Sequence, residues 1–588
     1  MSSVTPADLS KLFSDIAMLL DLKGENPFKI RAYSGAARAF ETYRGDLGAD
    51  IANGALGEVP GIGKAILEKS TEFYKTGKLE FFENLRRDFP PGLFELFDLN
   101  GLGAKKIKVL YEQVGVASLL DLEQACIAGK IAGIPGFGAK TQENILKSIA
   151  QKRQHAGTFL LGEIVPLAED LFDALRDHPA VSQISYAGSY RRRKETVHDL
   201  DFVVSTREPE EVGNYFADQP EVTEVIAHGP TKVSVRLLNG IQADLRLVSD
   251  EAFACAVMYF TGSKEHNVVL RGRARDRGWT LNEYRLAPLE EAERPKDYVP
   301  PPTGLQTEAD VYRALGLDFV PPELRENLGE IEAAEKHRLP NLVELTNLRG
   351  TFHNHSVYSD GQSTVAEMAA AAHELGLSYL GMADHSKGQV QANGMSAERL
   401  RAQFREIDEL NANAPWAGDF RLLKGVEVDI LRDGSLDLPD DVLAECDYTV
   451  ASVHGSFSLS EEEQTERILK AIRHPLVTML GHATGRLLLQ RDGYQVNIRA
   501  LLEAAGANGT IIEINANPHR LDLDWRWWPE AKRLGVLTSI NPDAHSIEGL
   551  QSLWFGIAMA RKGWLTKHDV LNTRRIEEVL PILGRKRG

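Results

Sequence analysis

The sequence predicts a multidomain α/β protein: helical domains at the N-terminus, a β-sheet with helices in the middle and a β/α barrel at the C-terminus. Three observations carry this. Gly-hydrophobic-Gly triplets recur three times between helical patterns in the first quarter of the chain. An Asp-x-Asp pair opens an apolar run at 199–204, and beyond residue 353 histidines and carboxylates recur just after short apolar runs. At 588 residues the chain has room for several cores, at roughly 100–200 residues per domain.

Composition narrows the function classes. The contents of 43% hydrophobic and 26% charged residues are those of a globular chain rather than a disordered one. Cys126, Cys255 and Cys446 are too few and too scattered for a disulfide framework, which favours a reducing compartment. No apolar run approaches the ~20 residues of a membrane helix and no signal-peptide pattern opens the chain, so no membrane partner and a cytoplasmic location are expected. Residues 1–158 carry 20 Lys and Arg against 19 Asp and Glu, so the net charge of −17 lies almost wholly in the remainder. A near-neutral N-terminal quarter leaves nucleic-acid contact open there.

The first quarter reads as short helices broken by turns. Val59-Pro60-Gly61-Ile62-Gly63-Lys64 has the pattern of a helix-hairpin-helix element, and it recurs at Leu99-Asn100-Gly101-Leu102-Gly103 and Ile134-Pro135-Gly136-Phe137-Gly138. Glycines permit the tight turn, and amides at the start of the second helix point at a DNA phosphate. Gly61, Gly63, Gly101, Gly103, Gly136 and Gly138 are therefore the expected DNA-binding positions. Such contacts set position and carry no sequence information. One triplet alone is usually only a turn; three, each followed closely by Lys, favour DNA.

In the middle of the chain, Gly188-Ser189-Tyr190-Arg191-Arg192-Arg193-Lys194 leads to Asp199-Leu200-Asp201 and the strand-like Phe202-Val203-Val204. Alternate strand residues share a face, so Asp199 and Asp201 can share a cation while Leu200 enters the core. Asp244 lies in a second strand-like run, 241–248. Three such carboxylates suit two Mg²⁺ ions about 4 Å apart, the arrangement for in-line phosphoryl displacement. An isolated Asp-x-Asp is more often an exposed strand end. The basic turn upstream, with amides, a hydroxyl and guanidinium groups suited to phosphate oxygens, shifts the reading to a nucleotidyltransferase site.

These residues, with Tyr259-Phe260-Thr261-Gly262-Ser263 and Asn267, closely resemble the family X DNA polymerases. The whole chain resembles the bacterial members that carry a C-terminal PHP domain. That resemblance implies a nucleotidyltransferase palm and a thumb, with Asp199, Asp201 and Asp244 as catalytic ligands of Mg²⁺ or Mn²⁺. Gly188, Ser189, Arg192, Tyr259, Phe260, Gly262 and Asn267 would bind the incoming dNTP. It further implies a 5′-deoxyribose-phosphate lyase role for Lys69, with Lys29 as a phosphate contact, against the alternative of a solvated helix lysine. His198 departs from the family, which usually has glycine before the first aspartate, and a bulky imidazole there would alter the approach to the triphosphate.

Beyond residue 349 come His353-Asn354-His355, Asp360, Asp384-His385, Glu427, His454, His482, Asp543 and His545, mostly just after short apolar runs and separated by helical stretches. Alternation of this kind suggests a barrel with ligands at the strand C-terminal ends. Mixed imidazole and carboxylate donors suit Mn²⁺, Zn²⁺ or Fe²⁺. The region closely resembles the PHP family, a distorted (β/α)7 barrel, and all nine of its ligand positions (His353, His355, Asp360, His385, Glu427, His454, His482, Asp543 and His545) are filled. The resemblance implies up to three ions and metal-assisted phosphoester hydrolysis, with Arg520 free to hold a substrate phosphate. His373, His474, His519 and His568 match no ligand motif.

The expected organisation is an N-terminal helical domain at 1–80, a second hairpin domain at 81–157, palm at 158–251, thumb at 252–328, a charged linker at 329–348 and the PHP domain at 349–588. The resemblance implies a DNA-directed DNA polymerase filling short gaps in repair, coupled to a 3′–5′ exonuclease that trims or unblocks 3′ ends. Gapped or primed duplex DNA and dNTPs are its expected partners, and a monomer its expected state. Two alternatives stand beside it: a catalytically weak polymerase half serving as a DNA-binding scaffold for the nuclease, and a PHP domain acting on a small phosphomonoester.

Overall fold

The computed structural model describes residues 4, 6–41, 43, 47–59, 61–97, 99, 102–154, 157–416, 418 and 420–585. The chain divides into two compact units, Met1–Ala156 and Gly157–Gly588.

The first unit is helical. Residues 1–80 and 81–157, expected as two domains, share one continuous core that runs from Leu9 to Ile149. The helix Pro6–Lys23 explains this. Leu9, Phe13, Ile16, Leu19 and Leu20 are all buried, an apolar surface wider than the single stripe of a surface helix. It therefore packs both on Pro27–Glu41 and on Ala104–Val109, with Phe13 stacked on Phe40 at 5.5 Å.

The second unit begins with a five-stranded mixed sheet in the order Val181–Tyr186, Asp199–Thr206, Gln242–Val248, Lys232–Leu237, Val222–His228. Only the pair Asp199–Thr206 and Gln242–Val248 is parallel. Leu200, Phe202 and Val204 enter the core between this sheet and the helices Leu161–Arg176 and Pro209–Ala217. Next come the helices Phe253–Thr261 and Lys264–Asp276, the latter capped by the Ser263 hydroxyl. Residues 329–348, expected as an interdomain linker, include buried side chains. Ile331, Ala334 and Leu342 pack into the same core as Leu270 and Tyr312. Glu330 is fully buried there, its charge met by His266 Nδ1 at 2.6 Å.

The C-terminal region forms two parallel sheets, one of Gly350–Thr351, Tyr379–Gly381 and Arg421–Leu423, the other of Glu427–Asp429, Val450–Ser452, Met479–Leu480, Ile511–Asn515 and Thr538–Asn541. Arg421–Leu423 and Glu427–Asp429 are separated by three residues, and parallel bridges at His385–Glu427 and Asn354–Ala544 join the sheets. The result is a closed barrel of seven strand positions. Phe352, Tyr379, Tyr448, Val450 and Met479 form one of its cores, and the larger apolar cluster involves the surrounding helices. Capping boxes at Thr364/Glu367 and Ser460/Glu463 start two of these helices, each satisfying amides left without intrahelical partners.

Candidate active sites

The hairpin glycines behave alike wherever they are described. Gly63, Gly103 and Gly138 each stand immediately before a helix: Lys64–Thr76, Ala104–Val109 and Ala139–Gln154. Gly61 and Gly136 have φ of +94° and +87°, the left-handed region glycine favours. Gly101 lies outside the described residues. Ile62, Leu102 and Phe137 are buried and anchor the turns, while the described glycines are exposed. A Cβ on Gly63, Gly103, Gly136 or Gly138 would meet nothing within 4 Å. Open space over the first helical amides leaves room for a phosphate. In the same unit, Lys69 and Lys29 lie over the ring of Phe81 at 5.0 and 5.7 Å, and Tyr33 stacks on that ring.

The palm carboxylates are placed by register. Asp201 is directly opposite Asp244 on the parallel neighbour, and Asp199 is two residues earlier on the same strand. Gly188, at φ +59°, begins the short helix Gly188–Arg191, and a Cβ there would fall on the Asp201 carboxylate. Burial, followed by Asp199 and then Asp244, pushes the Asp201 carboxyl up to about 7. Burial and Asp244 raise Asp199 as well. Burial acts the same way on Asp244, but hydrogen bonds from Lys232, Gln242 and Ser234 outweigh it and hold this group low. Lys232 Nζ stands 2.5 Å from Asp244 Oδ2, a partner that sequence reasoning missed. Crowded carboxylates of this kind favour a bound cation. The His198 imidazole is exposed and within hydrogen-bond distance of the Thr158 hydroxyl at 3.1 Å.

The remaining residues expected at a nucleotide site, Arg192, Gly262, Asn267, Tyr259 and Phe260, lie near one another. Arg192 donates through its guanidinium to the Thr261 carbonyl at 2.5 Å and to Glu326 at 3.2 Å. Gly262 passes close beside it, since a Cβ there would lie 3.0 Å from that guanidinium. Asn267 donates to the Tyr259 carbonyl at 2.7 Å while its own side-chain oxygen is buried without a partner. The Tyr259 and Phe260 rings meet edge to face, and Arg246 lies over Phe260 at 4.5 Å.

The barrel draws together all nine residues singled out beyond residue 349. His353 and His355, His385, His454, His482, and Asp543 with His545 each follow a barrel strand at its C-terminal end. Glu427 opens its strand at the centre. Its carboxylate lies 2.7 Å from His385 Nδ1, 3.0 Å from His482 Nε2, 3.2 Å from His454 Nε2 and 3.4 Å from His353 Nε2. Three overlapping groups have ligand atoms within 4.8 Å of one another: His355, Asp360, His385 and His545; His353, His355 and Asp543; His385, Glu427 and His454. Among the described residues these are the groups of His, Cys, Asp and Glu atoms that close; the palm aspartates do not form one.

The donor set fits divalent cations. His353 Nε2, both ring nitrogens of His355, His482 Nδ1 and Glu427 Oε2 are buried without hydrogen-bond partners, a costly state for polar atoms unless they ligate. Charge points the same way. Burial lowers the His454 pKa, but Glu427 and Asp429 outweigh it and raise the group to about 10. His545 is likewise raised to about 9, chiefly by Asp360 against burial.

Supporting residues were legible only in part. Asp429, beside Glu427 in its motif, accepts from His454 Nδ1 at 2.6 Å. Glu513, on strand Ile511–Asn515, accepts from His353 Nδ1 and from the His482 amide, both at 2.7 Å. The contacts to His454 Nδ1 and His353 Nδ1 fix the tautomer and turn Nε2 toward the cluster, and the contact to the His482 amide holds its backbone. Buried Asp384 accepts from Ser356 and Ser359 and pins the loop that carries Asp360. Arg520 lies 3.5 Å from Asp543 and lines a cavity of about 340 Å³ with Glu427, His454 and His545.

Comparison with known proteins follows the same division. The helix-hairpin-helix domain matches residues 5–79, the tandem helix-hairpin-helix residues 94–151, the DNA polymerase beta thumb residues 256–326 and the PHP domain residues 351–517. The DNA polymerase/3′-5′ exonuclease PolX of Bacillus subtilis (strain 168) is 39% identical over 580 residues, covering 98% of this chain and 99% of that protein. A probable phosphatase of Thermoanaerobacter sp. (strain X514) is 29% identical over 249 residues, covering 40% of this chain and 96% of its own length. One from Caldanaerobacter subterraneus subsp. tengcongensis is 28% identical over 246 residues, covering 40% and 91%. With the hairpins, a register-matched aspartate pair and the nine-residue barrel cluster in place, similarity along nearly the whole length decides the assignment: the chain belongs to the bacterial family X DNA polymerases that carry a C-terminal PHP domain.

Proposed function

We propose that this enzyme extends primer 3′ ends at short gaps during DNA repair in the cytoplasm, and that its PHP domain removes nucleotides from 3′ ends. The observation that carries this reading is one chain holding both the Asp199/Asp201/Asp244 register beneath a phosphate-binding turn and the nine-residue cluster of the barrel. Asp199, Asp201 and Asp244 would hold Mg²⁺ or Mn²⁺, which supplies charge stabilisation for in-line displacement. Ser189 and the amides after Gly188 bind the triphosphate, with Arg192 exchanging Glu326 for a phosphate oxygen. Tyr259 and Phe260 line the sugar, and Asn267 offers its unpartnered oxygen beside the base.

In the barrel, the nine ligands would hold up to three Mn²⁺, Zn²⁺ or Fe²⁺ ions, which supply Lewis-acid activation for phosphoester hydrolysis. Asp429 and Glu513 hold the ring orientations of His454 and His353. Arg520 aligns a substrate phosphate over Asp543. The hairpin amides hold the DNA backbone, Lys69 would form the Schiff base of a lyase reaction, and the enzyme acts as a monomer. A scaffold role for the polymerase half stands as the second reading, favoured by His198 in the position before Asp199.

The test uses a labelled primer on a one-nucleotide-gapped duplex with Mn²⁺, with and without dNTPs. Asp199→Ala/Asp201→Ala should lose extension alone, and His353→Ala/His355→Ala shortening alone. Wild-type protein that shortens primers and never extends them would establish the scaffold reading instead.

A further inference from the structure

The phosphate turn of the palm rests on the PHP domain. Helix Leu553–Lys562 packs on barrel strand Thr538–Asn541 and ends in Lys562, which is only 1% exposed. Lys562 Nζ donates to the Arg192 carbonyl at 3.0 Å, to Glu326 Oε1 at 2.9 Å and to the Glu323 carbonyl at 3.4 Å. The same Glu326 oxygen accepts from Arg192 Nε. Next in sequence, Arg193 lies over the Trp554 ring at 4.1 Å, and Glu195 faces Arg526 at 3.5 Å and Arg486 at 4.0 Å. Three positions of the turn are thus held by barrel side chains.

One carboxylate shared by two cations has a consequence for binding. For Arg192 to reach a triphosphate it must leave Glu326, which is only 13% exposed on its side chain. Leaving a buried carboxylate unpaired is strongly unfavourable. With Lys562 in place Glu326 keeps a cation, so Arg192 can move. We propose that Lys562, a PHP-domain residue, is a positioning residue for polymerisation: it anchors the backbone of the nucleotide-binding turn and compensates Glu326 when Arg192 transfers to the incoming triphosphate. Without Lys562, Glu326 keeps Arg192 for itself. This inference rests on the extension activity proposed above and adds a dependence of that activity on the nuclease domain.

The experiment measures steady-state dNTP incorporation by the full chain on the gapped duplex, with exonuclease rate and melting temperature read on the same preparations. Lys562→Met should raise the KM for dNTP about tenfold, the size of one charge-assisted hydrogen bond, with kcat changed less and exonuclease rate retained. Lys562→Arg should stay near wild type. Adding Glu326→Gln to Lys562→Met should restore the KM, because the competing charge is gone; a merely structural role predicts no such rescue. An unchanged KM in folded Lys562→Met, or a KM in the double variant as high as in the single one, overturns the proposal. Should Lys562→Met fail to fold, Glu326→Gln alone decides: a KM at or below wild type supports the mechanism and a raised one refutes it. Wild-type protein without extension activity would refute the polymerase reading itself, a distinct result.

Discussion

Replacing Glu513 by Gln tests whether the PHP cluster is organised from outside its ligand set. Glu513 is fully buried, and each of its oxygens accepts twice: Oε1 from His353 Nδ1 and Asn541 Nδ2, Oε2 from the His482 amide and Asn515 Nδ2. A glutamine of the same shape has one acceptor oxygen, so in either orientation two donors face an NH₂ group. Orphaned donors cost about 1–3 kcal/mol each. The loss falls on the ring orientation of His353 and the backbone position of His482. Changes of this kind weaken metal affinity by about 10–100-fold. The assay is Mn²⁺ titration of 3′–5′ shortening by the full chain, with primer extension on the same sample as an internal control. Half-saturation should move to Mn²⁺ concentrations at least about tenfold higher while extension is retained. A Glu513→Gln enzyme that saturates at the wild-type concentration would refute the reasoning.

Three other outcomes follow from the geometry. Gly63→Asp puts a favourable capping residue before helix Lys64–Thr76 but a carboxylate into the open space above its amides; melting should be unaffected while DNA affinity falls, with a salt dependence shallower by about one phosphate contact. His266 is held below its ordinary value by burial, with its ring between Glu330 and Tyr312. The unfolded chain therefore takes up the proton first as pH falls; thumb stability should be intact above ~6.5 and decline below it, a loss that His266→Gln should reduce in melts at two pH values. Borohydride should trap wild-type protein on a 5′-deoxyribose-phosphate end and fail with Lys69→Ala, whereas equal trapping of both would exclude Lys69 as the Schiff-base residue.

The placement of the two candidate ligand sets follows local rules. Asp199 and Asp201 share a strand face by the two-residue repeat, and the barrel histidines follow short apolar runs that end where parallel strands place active sites. Gly63, Gly103 and Gly138 were readable for the same reason, since a helix start is set by its own few residues. Tertiary packing alone decided what surrounds these residues. Glu513 meets a histidine 160 positions away, and Lys562 meets Arg192 across 370. A buried charge is tolerated only where another chain segment supplies its partner, and no local pattern encodes that segment. The same holds for residues 329–348, expected as a linker, where buried Glu330 finds its hydrogen-bond partner in His266, 64 positions away. Residue type and spacing thus marked out both candidate sites, while the juxtaposition of distant segments determined how their side chains are oriented and which segments pack on residues 192–195.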